Sequence, residues 1–297
     1  MKSKGRRVAV LGTGNIGADL GERILLDKDF DLVAIVGRRS DSPGLQRFEG
    51  RVPHVLSGGI TALLEIINDF DGVFDGTSAH DHLHHWDVLH AANKWVIDLT
   101  PSRLGQPIVP ALVGQVEAMA LNDNFSWNYS MISCGGQSSA VILHAICENA
   151  VDIEEVEISS SIAALSAGPA TRTNIDEYID TTENLARIVS GCAKAKSILV
   201  LNPADPPIMM RTTVHVKAAY FDLEKIIIRA QQLVESIQKY VPGYDLVLQP
   251  YLNAEGHVTA TAKVTGAGYV LPEYAGNLDI INSAAVETAR LHLQKLI

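Results

Sequence analysis

The chain has few of the features that would place it outside an ordinary folded core. Only three of its 297 residues are cysteines, Cys134, Cys147 and Cys192. The number is odd and no two form a CxxC pair, which argues against a disulfide framework or a structural zinc site. Free thiols in a reducing compartment fit better. No apolar run approaches the roughly 18 residues that span a bilayer. The basic start, Met1 to Arg7, leads into the apolar run Val8 to Leu11, too short for a signal peptide. A cytoplasmic protein without a membrane partner is therefore expected. Positive charge is also scarce: 24 basic residues face 34 acidic ones, a net charge of −10. That balance disfavours nucleic-acid binding, although a local basic patch for a phosphorylated ligand remains compatible with it. There is no internal repeat, low-complexity tract or long linker.

With 47% hydrophobic and 20% charged residues, the chain can bury a sizeable core, and its length suits two domains. Residues Arg7 to Leu11 read as a short strand that stops at Gly12-Thr13-Gly14-Asn15-Ile16-Gly17. A helical pattern follows from Ala18 to Leu26, and a second apolar run from Phe30 to Val36. Strand, glycine turn, helix and strand in about 30 residues make the βαβ unit of a dinucleotide fold. In that reading Gly12 allows the turn, Gly14 lets the backbone reach a pyrophosphate, and Gly17 permits close helix–strand packing. At the end of the second strand an NAD site carries an acid for the ribose 2′-hydroxyl. Here Gly37-Arg38-Arg39-Ser40 stands there instead. Two guanidiniums suit a 2′-phosphate, so Arg38 and Arg39 favour NADP, with NAD as the alternative and a plain solvated turn as the bland one.

Further strands are expected at Gly72 to Asp75 and Trp95 to Leu99, with a helix between them through the His80 to Ala92 region. His80 and His84 could share a helical face. No acid or cysteine cluster accompanies them, so His80, His82, His84 and His85 read as a polar helix surface near the cleft, and no metal site is assigned. Beyond residue 132 the pattern changes. Alternating strands at Glu155 to Ile162, Thr213 to Ala218 and His257 to Val264, with helices at Thr173 to Ala193 and Leu223 to Tyr240, suggest an α+β domain with an antiparallel sheet.

At the join lies Ile132-Ser133-Cys134-Gly135-Gly136-Gln137, running into the apolar segment Ser138 to Ile146. A thiol just before a helix faces unpaired backbone N–H groups and the positive end of the helix dipole, both of which favour thiolate. The adjoining glycines let a carbonyl compound approach. Beside a nicotinamide site, Cys134 becomes the candidate nucleophile of an aldehyde or thioester oxidoreductase. Cys147 and Cys192, on helical patterns, read as structural. The loop Ser166-Ala167-Gly168-Pro169-Ala170-Thr171-Arg172 suits packing around a nicotinamide or an acyl group, or is a connector. Asn277, in a segment preceding the final helix, is a candidate partner for a carboxamide.

Together these stretches resemble the acylating acetaldehyde dehydrogenase family, the partners of 4-hydroxy-2-oxovalerate aldolases. The resemblance rests on Gly12 to Gly17, Asp98-Leu99-Thr100-Pro101, Ser133 to Gln137, Ser166 to Pro169 and Thr173 to Glu177. Asn202-Pro203-Ala204, Tyr240 to Tyr244 and Tyr274 to Ile280 extend it, in the same order along nearly the whole chain. It implies an α/β protein: a Rossmann dinucleotide-binding domain over 1–132, with the helix 278–297 packing back onto it. A catalytic and dimerisation domain with a largely antiparallel sheet would occupy 133–277. Cys134 would carry the acyl group, while Gly12, Thr13, Gly14, Asn15, Ile16, Gly17, Ser166, Ala167, Gly168, Pro169, Asn174 and Asn277 would serve the cofactor. Coenzyme A or another thiol would be co-substrate to a short aldehyde or acyl-thioester, with a homo-oligomer and an aldolase partner expected. The chain departs from the family at Met210-Arg211-Thr212-Thr213, where Thr212 replaces an acid, at Arg38-Arg39, and in a shorter segment between Tyr244 and His257. Two other readings keep part of this picture: a phosphorylating semialdehyde dehydrogenase of the same architecture, and a nicotinamide-binding regulatory subunit.

Overall fold

A computed structural model describes residues 6–121 and 127–295. The basic start (1–5), the segment 122–126 and the last two residues of the expected final helix (296–297) lie outside the described residues. The first half runs β1 (Arg7–Leu11), α1 (Asn15–Leu26), β2 (Asp31–Gly37), α2 (Pro43–Gln46), β3 (His54–Ser57), α3 (Ile60–Glu65) and β4 (Gly72–Asp75). It continues with α4 (Ala79–Ala91), β5 (Trp95–Asp98), β6 (Gln106–Pro107) and β7 (Asn128–Ser130). The strands form one parallel sheet in the order β3-β2-β1-β4-β5-β7-β6. The order reverses between β1 and β4, the place in a doubly wound sheet where ligands bind beyond the strand ends.

The second half runs α5 (Cys134–Cys147), β8 (Ala150–Ala163), α6 (Pro169–Thr173), α7 (Ile175–Ser190), β9 (Ala195–Asn202) and β10 (Met210–Phe221). It closes with α8 (Leu223–Gln238), β11 (Tyr244–Leu252), β12 (His257–Val264) and α9 (Gly276–Lys295). Its sheet has the order β11-β12-β10-β8-β9, antiparallel except for the parallel pair β8 and β9. Inward residues alternate along these strands, as in Val156, Ile158, Ser160 and Ile162 on β8, and α5, α7 and α8 cover that face. Helix α5 is almost wholly buried, packed between the sheet, α7, α8 and α9.

Helix α9 returns to α1 and β5. Its polar residues are buried because they are paired across elements: Asn282 donates to Asp19 at 2.8 Å, and Tyr129 Oη meets His292 Nδ1 at 3.1 Å. Three expectations are corrected in detail. The helix expected over 173–193 is broken at Asn174 and ends at Ser190, with Gly191 left-handed (φ 69°) as its cap. Cys192 therefore follows the helix instead of lying on it. Asn277 sits in the first turn of α9, not ahead of it. Among the described residues, no helix is long and apolar enough to cross a membrane.

Candidate active site

The glycine turn after β1 is fixed by packing. A Cβ on Gly17 would stand 1.9 Å from the carbonyl oxygen of Gly12, and Gly12 itself has φ +105°. The turn therefore brings α1 directly over the end of β1. Gly14 caps α1 with no side-chain bond to the helix start, and a Cβ there would meet nothing within 4 Å. An uncapped helix N-terminus beside open space suits an anion such as a pyrophosphate.

Beyond it opens a cleft of about 300 Å³ between the two halves. Gly14, Asn15 and Ile16 line it from the first, Ser166, Gly168 and Asn174 from the segment after β8, and Asn277 from α9. Cys134 lines the same cleft. Gly12, Thr13 and Gly17 shape the turn without lining the cleft, and Ala167 is buried behind it. Pro169 opens α6. Arg38 and Arg39 stand apart from the cleft, exposed just past β2, with Arg39 3.1 Å from Asp41. The carboxamide oxygen of Asn277 is buried, faces this cleft and has no hydrogen-bond partner. The donor set fits a dinucleotide: an open helix start at one end and an unmatched amide at the other.

Cys134 is the first residue of α5. Ser133 caps the helix, its hydroxyl accepting from Gly136 N at 2.9 Å and meeting Thr182 Oγ1 at 2.6 Å. Ile132 is held at φ +66°, a left-handed conformation unusual for a β-branched residue. A Cβ on Gly135 would lie 2.0 Å from Tyr178 Oη and 2.7 Å from Ser160 Oγ, so the glycine admits these hydroxyls to the thiol. The expected bias toward thiolate is corrected here. Burial of the sulfur dominates and pushes the thiol up to about 11, against bonds from Tyr178 and the backbone of Gly135 and Cys134 that favour the anion. The residue as a whole is only partly covered and lines the cleft.

The four clustered histidines also divide. His80 is exposed, but His82 and His85 are buried and each places Nδ1 2.9 Å from an Asp75 oxygen. They are not a polar surface. Burial opposes charge on Asp75, yet the bonds from both histidines outweigh it and hold the carboxyl well below its ordinary range. Asp98, 3.5 Å from His82 Nε2, is pushed up to about 6 by burial. Asp75 also accepts from Thr77 N at 3.1 Å, and Asp98 from Thr100 N at 2.7 Å. The network thereby sets two turns, at Thr77-Ser78 and Thr100-Pro101, that line the cleft. Its sequence signal was the spacing of His82, His85 and Leu89, which share the buried face of α4. Tyr178 had no comparable signal.

The comparisons with known proteins bear on the family and the fold. The sequence family described as "Prokaryotic acetaldehyde dehydrogenase, dimerisation" matches residues 134–272. An acetaldehyde dehydrogenase of Pectobacterium atrosepticum is 43% identical over 285 residues, 96% of this chain and 95% of that protein. The chain belongs to the acetaldehyde dehydrogenase family. A second member, from Spirochaeta aurantia, is 43% identical over 97% of this chain and 95% of its own length. Among solved structures, aspartate semialdehyde dehydrogenase II of Vibrio cholerae superposes with a TM-score of 0.66 at 14% identity, covering 98% of this chain and 99% of that one. The NADP-bound aspartate semialdehyde dehydrogenase of Candida albicans gives 0.61 at 11% identity, over 96% and 99%. At such identities these two show the fold alone; the relatives' name makes the chain an aldehyde oxidoreductase, and the family model's dimerisation domain supports a homo-oligomer.

Proposed function

We propose that the chain interconverts a short aldehyde and its acyl-thioester with a nicotinamide cofactor, using Cys134 as the acyl carrier. The observation that carries this reading is one cleft lined by Cys134, by the uncapped start of α1 and by the unpartnered amide oxygen of Asn277. Backbone N–H groups of α1 would hold the pyrophosphate, and Asn277 the carboxamide. A nicotinamide bound there supplies the hydride acceptor. Cys134 adds to the aldehyde carbonyl, forming a hemithioacetal whose oxygen lies near the backbone N–H groups at the start of α5. Such donors are worth up to about 3 kcal/mol each. The acyl group left on sulfur then passes to a thiol such as coenzyme A.

Arg38 and Arg39 support NADP, because two exposed guanidiniums follow β2 directly and the nearby carboxylate Asp41 is engaged by Arg39. In that case the thioester is the substrate to be reduced. A division near residue 132, with α9 counted with the first unit, is supported by the contacts of α9 with α1 and β5. For the oligomer, the outer face of the second sheet is the candidate surface. It presents Thr213 and Thr261, 2.9 Å apart, fringed by the exposed Val200, Leu248 and Tyr251.

The test is to mix the protein with NADPH or NADH and acetyl-coenzyme A, and to follow absorbance of the reduced cofactor. Thioester-dependent oxidation is expected. Reverse turnover that needs phosphate instead of a thiol would move the chain to the phosphorylating semialdehyde dehydrogenases. Thiol alkylation at Cys134 that acetyl-coenzyme A fails to slow would favour a regulatory subunit.

A further inference from the structure

We propose that the Tyr178 hydroxyl is the side-chain donor that holds the Cys134 thiolate, making Tyr178 a catalytic residue; the inference rests on Cys134 being the nucleophile. Tyr178 lies in the first turns of α7 and is buried with its hydroxyl over the start of α5. The fit is close enough that only glycine is accommodated at 135. Its oxygen closes no hydrogen bond of regular geometry, yet it stands near enough to the thiol and to Ser160 to act on both. A buried, unmatched hydroxyl facing a reactive sulfur is a donor in reserve for the charged state.

The surroundings leave it that task. Among the described residues lining the cleft there is no Asp, Glu, Lys, Arg or His, and Tyr178 is the one ionisable partner of Cys134. Three other hydroxyls of the cleft are committed, while Thr100 Oγ1, on the first half's side of it, is buried without a partner. Ser133 Oγ meets Gly136 N and Thr182, Ser166 Oγ donates to Ala163 O at 2.8 Å, and Thr77 Oγ1 donates to Asp75 at 2.6 Å. Ser160 Oγ lies 3.2 Å from Thr212 Oγ1, and Ser160 Oγ and Tyr178 Oη both stand over Gly135. Thr212, Ser160 and Tyr178 thus form a file of hydroxyls ending at sulfur. Burial and the neighbouring thiol keep the phenol protonated far above its usual range, so it donates and does not act as a base.

The decisive measurement is the pH dependence of Cys134 alkylation by iodoacetamide, followed by peptide mass so that Cys147 and Cys192 are distinguished. In Tyr178→Phe the rate curve should move up by about one pH unit, and kcat should fall about tenfold. The KM for the nicotinamide cofactor should be unchanged. A purely structural role would not displace the alkylation curve, and an undisplaced curve overturns the proposal. Should Tyr178→Phe not fold, protein carrying 3-fluorotyrosine provides a more acidic phenol and should move the curve down; an unmoved curve again overturns it. The reading beneath is tested separately. Parent protein alkylated at Cys134 that keeps its turnover would remove Cys134 as nucleophile, whatever Tyr178 does.

Discussion

Arg23 in α1 bonds directly to Asp279 in α9, joining residues 256 positions apart. The same guanidinium donates to Asp19 at 2.6 Å and to Ser283 at 2.8 Å, under the ring of Tyr269. Burial works against its charge, and the two carboxylates keep it protonated. Because Asn277 lies one half-turn before Asp279, this bond also fixes the amide that faces the cleft. Arg23→Leu leaves two buried carboxylates without their cation, a loss of about 3–5 kcal/mol. A Tm lower by roughly 10 °C is expected, with weaker cofactor binding. A Tm within about 2 °C of the parent would contradict the assignment.

Removing the thiol should separate chemistry from binding. In Cys134→Ala, thioester-dependent oxidation of the reduced cofactor should disappear, while cofactor affinity stays within about twofold, since the proposed dinucleotide contacts are α1 and Asn277. Full activity in this variant would place the acyl group elsewhere.

The buried carboxylate Asp98 has a signed pH signature. Its pKa is raised to about 6 by burial, whereas an unfolded aspartate titrates near about 3.9. The folded state binds the extra proton, so this contribution is full below about pH 4 and is lost as pH rises to about 6. Asp98→Asn keeps an acceptor for Thr100 N without the charge. Urea unfolding at about pH 4.5 and 6.5 should therefore show a smaller decline in the variant than in the parent. An equal decline would mean that Asp98 ionises freely.

Cofactor choice can be read from two side chains. Arg38→Ala with Arg39→Ala should lower kcat/KM for NADPH by about tenfold or more, at about 1–3 kcal/mol for lost charge-assisted bonds, and leave NADH nearly unaffected. If the NADPH:NADH ratio does not move, the two arginines are only a solvated turn.

What could be read in advance was local. β1, the glycine turn and α1 declare themselves by a short apolar run, spacing and helical period, and Cys134 by its cap and glycines. Edge elements were harder. β11 is the outermost strand of its sheet and carries Pro250, which breaks a strand pattern and is tolerated there because one side lacks a partner. β6 and β7, of two and three residues, are too short for any period. β9 lost its alternation because half-buried residues run along both faces.

By itself the sequence determined the two kinds of sheet, the dinucleotide turn and the position of the reactive thiol, since each depends on neighbours a few residues away. Only the tertiary structure decided that the sulfur is buried enough for desolvation to outweigh the helix start. It alone turned His82 and His85 inward onto Asp75, and set Tyr178 beside a thiol 44 residues earlier in the chain. Desolvation and hydrogen bonding depend on atoms brought together through space, and no local pattern records them.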